Sequence, residues 1–348
     1  MTIFDMTKAQ AIAAYWDAGA ANREPYIGEA LFPSRKKLGL SLDWIKGGAG
    51  LPVVLKASAF DVKAIPRDRI GIEKVSKKMP FFKESMLIDE ELRQQLNMLL
   101  ESNDQVAIRT ILTHIFDDTT TLLEAARAQR ERMRMMLLTT GVIAMESNGQ
   151  RHYFDYQLDE AQLVTSDWSN PQADIIGDIR RWKKNRRVAK GVELTRALTN
   201  STTWEYIMQN ERIKSTIFVL GNGNQFVDED MMRAYLLRVL KIRVELNDKL
   251  YKDETGEERM YVPDGTFVLL PDGDLGNTWF GTTPEESDLR ASAVANVAIV
   301  DMGVAITTTE LSDPVTTDTK VSMICLPSFP QADRIMIADV IPETPETP

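Results

Sequence analysis

Residues 102–141 read SNDQVAIRTILTHIFDDTTTLLEAARAQRERMRMMLLTTG, and their reading decides the fold. Ile108, Ile111, Leu112, Ile115, Leu122, Ala126, Met133, Met136 and Leu137 recur at the spacing that keeps one stripe on one face of a helix. Ser102 followed three residues later by Gln105 matches a capping box, and Gly141 is the residue type at which helices commonly stop. No proline interrupts the run. At about 1.5 Å per residue the helix reaches roughly 55–60 Å, several times the usual helix length. A helix that long needs support along its sides, from other elements or from neighbouring chains. It is a spine.

The chain has 348 residues and is 43% hydrophobic, enough for a real core in one or two domains. Its net charge of −10 argues against a protein that coats itself in nucleic acid. The charge is uneven: Leu250 to Pro348 carries 18 acidic and 5 basic residues, so the preceding part is slightly basic. Such asymmetry either draws one end of a copy to the other end of its neighbour or marks solvated faces of one molecule. Cys325, the one cysteine, excludes an intramolecular disulfide framework and suits a reducing compartment. Met1 to Ala21 has only Lys8 as a base and no sustained apolar core, and no window offers a membrane span. The expectation is a soluble intracellular product without a signal peptide.

Thr7 to Gly19 reads as a short amphipathic helix with Thr7 as cap. Phe32-Pro-Ser34 and then Leu40, Leu42 and Trp44 in alternation read as a strand of an N-terminal arm. From Leu51 to Leu87 the pattern is extended, punctuated by Pro52, Pro66 and Pro80, and basic through Lys56, Lys63, Arg67, Arg69, Lys74, Lys77, Lys78 and Lys83. That is too long for an ordinary connection, and it reads as a two-stranded excursion with its tip near Pro66 to Gly71. An isolated hairpin is marginal in water, so it needs a surface to lie on, and a neighbouring subunit is the natural one.

Further along, a shorter helix is expected from Asp89 to Glu101, and Asn148-Gly149 between Val142–Met145 and His152–Gln157 predicts a hairpin. Helices are expected over Ala173–Ala189, Thr202–Gln209 and Asp228–Leu240, with strands at Ser215–Leu220 and Ile242–Leu246. Pro263-Asp-Gly265 and Pro271-Asp-Gly273 are two turns bracketing a strand at Thr266–Leu270. Ala291–Thr309 and Val321–Leu326 read as strands, and Pro342–Pro348 as a disordered tail.

Catalytic chemistry is hard to find. Gly221-Asn-Gly-Asn-Gln-Phe226 follows an apolar run and has Glu245 about twenty residues on, the outline of a dinucleotide fingerprint. Its third glycine is Phe226, however, and Asp228, Glu229 and Asp230 put carboxylates where a pyrophosphate would sit. Asp228 is better read as a helix N-cap. His114 and His152 belong to no spaced metal-ligand set, and Cys325 between Ile324 and Leu326 has the profile of a buried inert thiol. Asp272-Gly-Asp274 starts like a calcium loop but lacks the later ligands, and Asp117-Asp118 diverge as adjacent helical residues do. The basic run Arg180, Arg181, Lys183, Lys184, Arg186, Arg187 and Lys190 is open to two readings, nucleic-acid binding or a charged face. No cofactor, metal or enzymatic activity is expected.

Several segments together resemble the major capsid protein E family, the lambda-type shell proteins of tailed bacteriophages. They are Leu31-Phe-Pro-Ser-Arg35 leading to Leu42-Asp-Trp-Ile45, and Phe60-Asp-Val-Lys-Ala-Ile-Pro66. The most specific is Val262-Pro-Asp-Gly-Thr-Phe-Val-Leu-Leu-Pro-Asp-Gly273 continuing into Leu275-Gly-Asn-Thr-Trp-Phe-Gly-Thr-Thr-Pro284, followed by Met323-Ile-Cys-Leu-Pro-Ser-Phe-Pro-Gln-Ala-Asp333. The resemblance implies an α+β fold, that of tailed-phage and herpesvirus shell proteins. Its parts would be an N-terminal arm (1–50), an extended hairpin loop (51–87), a peripheral domain with the spine helix (88–163), an axial domain (164–298), and peripheral C-terminal strands with the tail (299–348).

It further implies self-assembly through hexamers and pentamers into an icosahedral shell around a double-stranded DNA genome, bound without sequence specificity and without any membrane. A portal protein, a separate scaffolding protein and a decoration protein would be partners, with assembly in the host cytoplasm and residence in the virion capsid. No lysine–asparagine–glutamate trio for subunit cross-linking is recognisable. The residues expected to contact a neighbouring subunit are Arg67, Arg69, Lys74, Lys77 and Lys78. The other reading is a nucleic-acid-binding protein using the basic helix near residues 180–190.

Overall fold

The computed structural model describes residues 7–46, 73–88, 90–91, 93–95, 98, 105–147, 149–217, 227–289, 295–313 and 315–341. The excursion's tip with Arg67 and Arg69, the Ser102 cap, Asn148, the Gly221 loop and the acidic tail lie outside the described residues, as does most of the helix expected at 89–101. From the N-terminus the chain forms α1 (Ala9–Ala18), α2 (Ile27–Leu31), β1 (Ser34–Lys36), β2 (Ser41–Lys46), β3 (Glu73–Lys78), β4 (Phe81–Ile88) and the spine, α3 (Gln105–Thr140). Next come β5 (Val142–Ser147), β6 (Gln150–Asp155), β7 (Leu163–Thr165), α4 (Ile175–Lys190), β8 (Arg196–Thr199), α5 (Ser201–Gln209), α6 (Glu211–Ile217) and α7 (Glu229–Leu240). The remaining strands are β9 (Arg243–Leu246), β10 (Leu250–Lys252), β11 (Glu258–Met260), β12 (Thr266–Leu270), β13 (Asn277–Phe280), β14 (Ala295–Val300), β15 (Val304–Ser312), β16 (Val315–Ser328) and β17 (Met336–Asp339).

The chain divides into two compact units. One comprises Met1–Leu42, Ser76–Met133 and Asn277–Ser328, and the other Asp43–Val75, Arg134–Gly276 and Phe329–Pro348.

The first unit is organised on β16, whose β-branched residues (Val315, Thr316, Thr317, Thr319, Val321, Ile324) suit a pleated, two-sided strand. β15 runs antiparallel along one side, from Ser312↔Val315 to Val304↔Met323. The other side is shared end to end by β4, from Ile88↔Thr317 to Phe81↔Ile324, and β13, from Phe280↔Cys325 to Asn277↔Ser328. β14 and β1 complete the six strands. The strand-like stretch Ala291–Thr309 holds two strands among its described residues. Asp301 and Met302 turn the chain with φ of 46° and 68°, and the Gly303 N–H donates to the Val300 carbonyl at 3.1 Å, making β14 and β15 a hairpin. Gly303 is glycine because a Cβ there would lie 2.5 Å from the Cβ of Phe280.

α1 lies on β14 and β15, burying Ile12 and Trp16. The Ala9 N–H donates to the Thr308 hydroxyl at 3.2 Å. Lys8 occupies the N-cap position and makes no side-chain cap, so Thr7 is not the cap expected.

The spine has the predicted stripe, with Ile115, Leu122, Ala126, Met133 and Leu137 buried, and it ends at Gly141, whose φ is +74°. Its later turns also bury Arg127, Arg130, Glu131 and Arg134. Three of these are tied to distant segments of the first unit. Glu131 accepts the Gly28 N–H at 2.9 Å, Arg127 pairs with Glu29 at 3.3 Å, and Arg130 with Asp301 at 2.8 Å. Charged groups are buried at this cost only when paired and hydrogen-bonded.

The second unit holds a five-stranded sheet in the order β7-β17-β12-β8-β9. Its core gathers Trp168, Trp182, Trp204, Leu236, Phe267 and Met336. Trp168 stacks on Trp182 at 5.7 Å, and its indole N–H donates to Asp178 at 3.2 Å, so the polar edge of a buried ring is satisfied. β12 spans the predicted Thr266–Leu270 between Gly265 (φ +77°) and Gly273 (φ +84°), left-handed conformations that favour glycine. Asp228 caps α7 by accepting the Met231 N–H at 2.7 Å, as expected. The strand expected at Ser215–Leu220 is corrected over Ser215–Ile217, which belong to the helix Glu211–Ile217, and its remainder lies outside the described residues. The Asn210 side chain accepts the Ile213 N–H at 3.0 Å, and this cap overrides the β-branched run that follows.

Candidate subunit-contact surface

The basic segment expected to touch a neighbour enters the described structure on β3, which carries Lys74, Lys77 and Lys78 and pairs with β2 in a two-stranded sheet. Lys78 is exposed and Lys77 half-buried. Met79 follows, buried, with its N–H donating to the Leu40 carbonyl at 2.8 Å. The chain then runs straight into β4. Among the described residues β4 pairs on one side only, with β16. No described strand pairs with its other edge, and the face carrying Phe81, Lys83, Ser85 and Leu87 is exposed throughout, Leu87 at 60%. Lys83 stands over the Phe81 ring, 5.7 Å from its centre. An eight-residue strand with an unprotected edge is a template for pairing. The sequence reading above absorbed this strand into the excursion, because Phe-Phe-Lys-Glu-Ser-Met-Leu-Ile has no period-two alternation to set it apart.

The basic helix α4 is differently disposed. Lys183 is buried and donates to the Leu240 carbonyl at 2.6 Å, at the C-terminal end of α7 where backbone acceptors lack helical partners. Arg186, also buried, reaches the carbonyls of Ala161 at 3.2 Å and Asp333 at 3.4 Å. Lys190 pairs with Asp333 at 2.9 Å, Arg181 with Asp178, and Arg187 with Glu193. Burial lowers the pKa of both Lys183 and Arg186, while the hydrogen bond from Arg187 holds the Glu193 carboxyl below its ordinary value. Five of the cluster's seven cations are therefore committed within the second unit, and the helix presents no continuous basic face.

A sequence model of the family described as phage major capsid protein E matches residues 8–340. The chain belongs to that family. It is a phage major capsid protein, a builder of shells, and the nucleic-acid-binding alternative has no support. Solved structures agree on the fold. A phage-related protein of Bordetella bronchiseptica RB50 is 11% identical, with 94% of this chain and 97% of that one covered at a TM-score of 0.54. The cyanophage A-1(L) capsid asymmetric unit is 14% identical over 91% and 92%, at 0.52. A prophage protein of E. coli CFT073, described as a capsid protein, is 14% identical over 77% and 79%, at 0.51. At these identities the likeness speaks for the fold alone. No curated protein sequence matches the chain.

In this capsid protein the residues that looked like catalytic parts serve the fold. The Pro271-Asp-Gly273 turn is clamped by the Arg196 guanidinium, which donates to the Pro271 carbonyl at 2.6 and 3.0 Å and to the Gly273 carbonyl at 2.5 Å. A cation at Asp272 would have to compete for those carbonyls. Cys325 is fully buried on β16 with its sulfur 3.8 Å from that of Met323. His152 stacks on Phe154 at 6.4 Å on β6. Among the described residues no group of three or more His, Cys, Asp or Glu is placed to hold a metal, and no helix is long and apolar enough to cross a membrane.

Proposed function

We propose that copies of this chain associate through hexamers and pentamers into a closed icosahedral shell around the double-stranded DNA genome of a tailed phage. In this reading residues 1–50 form an arm, 51–87 an extended loop, 88–163 with 299–348 a peripheral domain, and 164–298 an axial domain. The basic loop with Arg67, Arg69, Lys74, Lys77 and Lys78 lies across an adjacent copy. The observation that supports this is the passage from β3, on which Lys78 is exposed, directly into β4, whose outer edge no described strand pairs and one of whose faces is exposed. Main-chain pairing and charge would both operate there.

The portal, a scaffolding protein and a decoration protein are the further partners of such a shell, DNA is enclosed without sequence-specific contact, and assembly takes place in the host cytoplasm. Function here is association, and catalysis has no part in it. The test is replacement of Arg67, Arg69, Lys77 and Lys78 by glutamate. The subunit should remain folded, with an unchanged circular dichroism spectrum, and shells should vanish from electron micrographs. Normal shells from that variant would contradict the reading.

A further inference from the structure

Two Pro-Asp-Gly turns bracket β12, and as local sequence they are interchangeable. An Asp-Gly pair has a chemistry of its own. Glycine carries no side chain to shield its amide nitrogen, so that nitrogen can reach the carboxyl carbon of the aspartate before it. Whether it does depends on what holds the two groups, and there the turns differ.

At the first turn both groups are engaged. The Gly265 N–H donates to the Thr203 hydroxyl at 2.9 Å, and the Gly265 carbonyl accepts the Val340 N–H at 2.7 Å. The Asp264 carboxylate accepts from the Asn200 side-chain amide at 2.5 Å. The Thr266 N–H closes the turn on the Pro263 carbonyl at 3.2 Å. Space is short as well: Gly265 is buried, and a Cβ there would lie 3.3 Å from Asp339 Oδ1 and from Ile341 Cβ.

At the second turn neither group is held. Among the described residues, the Asp272 carboxylate and the Gly273 N–H have no hydrogen-bond partner. Both residues are exposed, and nothing lies within 4 Å of a Cβ placed on Gly273. Arg196 grips this turn, but by the Pro271 and Gly273 carbonyls, neither of which takes part in the reaction.

We propose that Asp272 is a site of spontaneous isomerisation to isoaspartate and that Asp264, in the same local sequence, is not. The Gly273 nitrogen attacks Cγ of the protonated Asp272 carboxyl. An N–C bond forms, a C–O bond breaks, and the hydroxyl leaves with the amide proton as water, which gives a five-membered succinimide. Water then opens the ring. Where it adds to the backbone carbonyl of Asp272, the bond from that carbon to the Gly273 nitrogen breaks and the chain runs on through Cγ. No oxidant, reductant or other reactant is consumed, and the mass is unchanged. The backbone gains a methylene, which carries the Gly273 carbonyl out of the Arg196 fork and loosens the link from β12 to β13. This inference stands apart from the shell reading, and its failure leaves that reading untouched.

The experiment uses the full chain, incubated near neutral pH either folded or unfolded in urea. Chymotrypsin separates the two turns by cutting after Phe267. Isoaspartate is then scored in each peptide by methyl transfer from labelled S-adenosylmethionine with an isoaspartyl methyltransferase. Asn148-Gly149 and Asn222-Gly223 react through the same ring, but they lie in other peptides and change mass. In the folded chain Asp272 should convert at least about tenfold faster than Asp264, whose reaction must first break its hydrogen bonds. In urea, where no turn is held, the two rates should agree within about twofold. Asp272→Glu, at an exposed position and needing a less favourable six-membered ring, should give no signal there and leave the denaturation midpoint unchanged. Equal rates at the two turns of the folded chain would overturn the inference. So would a folded chain in which Asp272 stays intact while it converts in urea. A signal that survives Asp272→Glu would place the reaction at another residue of that peptide and overturn it too.

Discussion

Arg130, on the spine, places Nη2 2.8 Å from Oδ2 of Asp301, a residue held at a φ of 46° in the β14–β15 turn 171 positions away. The Trp16 indole N–H reaches the other carboxylate oxygen at 3.4 Å, so one side chain joins the spine, the first helix and a sheet turn. Burial works to raise the pKa of Asp301, but Arg130, Trp16 and Arg127 more than offset it and hold it below the usual carboxylate range. A carboxyl whose folded pKa is depressed contributes stability above its unfolded value, near 3.9, and loses it as pH falls through the folded value. Stability of the first unit should therefore decline in acid below about pH 4. Asp301→Asn, which tolerates the turn, should flatten that decline and cost about 1–3 kcal/mol at pH 7, between the exposed and fully buried limits for an ion pair. Urea titrations of unassembled wild-type and variant subunits from pH 2.5 to 7 measure both.

Gly281 leaves no room for a side chain. A Cβ there would lie 2.8 Å from the Gly39 carbonyl oxygen and 2.9 Å from Ile324 Cγ2 and Met79 Cε. The methionine end can move, but the backbone oxygen cannot without disturbing the segment before β2. Gly281→Ala should destabilise by about 1–3 kcal/mol through overpacking, read as a lower denaturation midpoint at unchanged slope.

Arg196 holds the Pro271–Gly273 turn through two carbonyls at once, a geometry that suits a planar fork. Arg196→Lys keeps the charge and loses the fork. It should cost about 1–2 kcal/mol and speed amide exchange at Asp272 to Asp274, whereas an unchanged exchange pattern would show the clamp to be idle.

On α4, Lys183→Met should destabilise by about 1–3 kcal/mol because the Leu240 carbonyl loses its buried donor, while Lys184→Ala, on the exposed side, should stay within about 0.5 kcal/mol. Unassembled subunits should show no salt-dependent DNA affinity that either change alters, measured by fluorescence anisotropy across a salt series.

The parts of the fold legible in sequence are those fixed by local chemistry. Two Pro-Asp-Gly turns with left-handed glycines bracket β12, Asp228 caps α7, and an uninterrupted apolar stripe ending at Gly141 marks the spine. Distant or competing partners hid the rest. Arg127, Arg130 and Glu131 look like a solvated helix face until Glu29, Asp301 and Gly28 are brought to them. Ser215 to Ile217 looks like strand because the local pattern does not weigh the Asn210 cap against the β-branched run. The α4 cations looked available because Leu240, Ala161 and Asp333, which engage them, lie 25 to 147 residues away. Of the residues proposed to contact a neighbour, Lys74, Lys77 and Lys78 stand out in the sequence by charge alone, while the edge of β4 that no described strand pairs follows from the pairing of β16.

The central claim is that this chain builds shells, and its most direct test is electron microscopy of the purified protein, alone and after co-expression with portal and scaffolding partners, across a range of salt and protein concentrations. The account predicts closed shells with fivefold and sixfold clusters, or rings and curved sheets as their fragments, dispersing as salt screens the basic segment. A monodisperse monomer under every one of these conditions would contradict it.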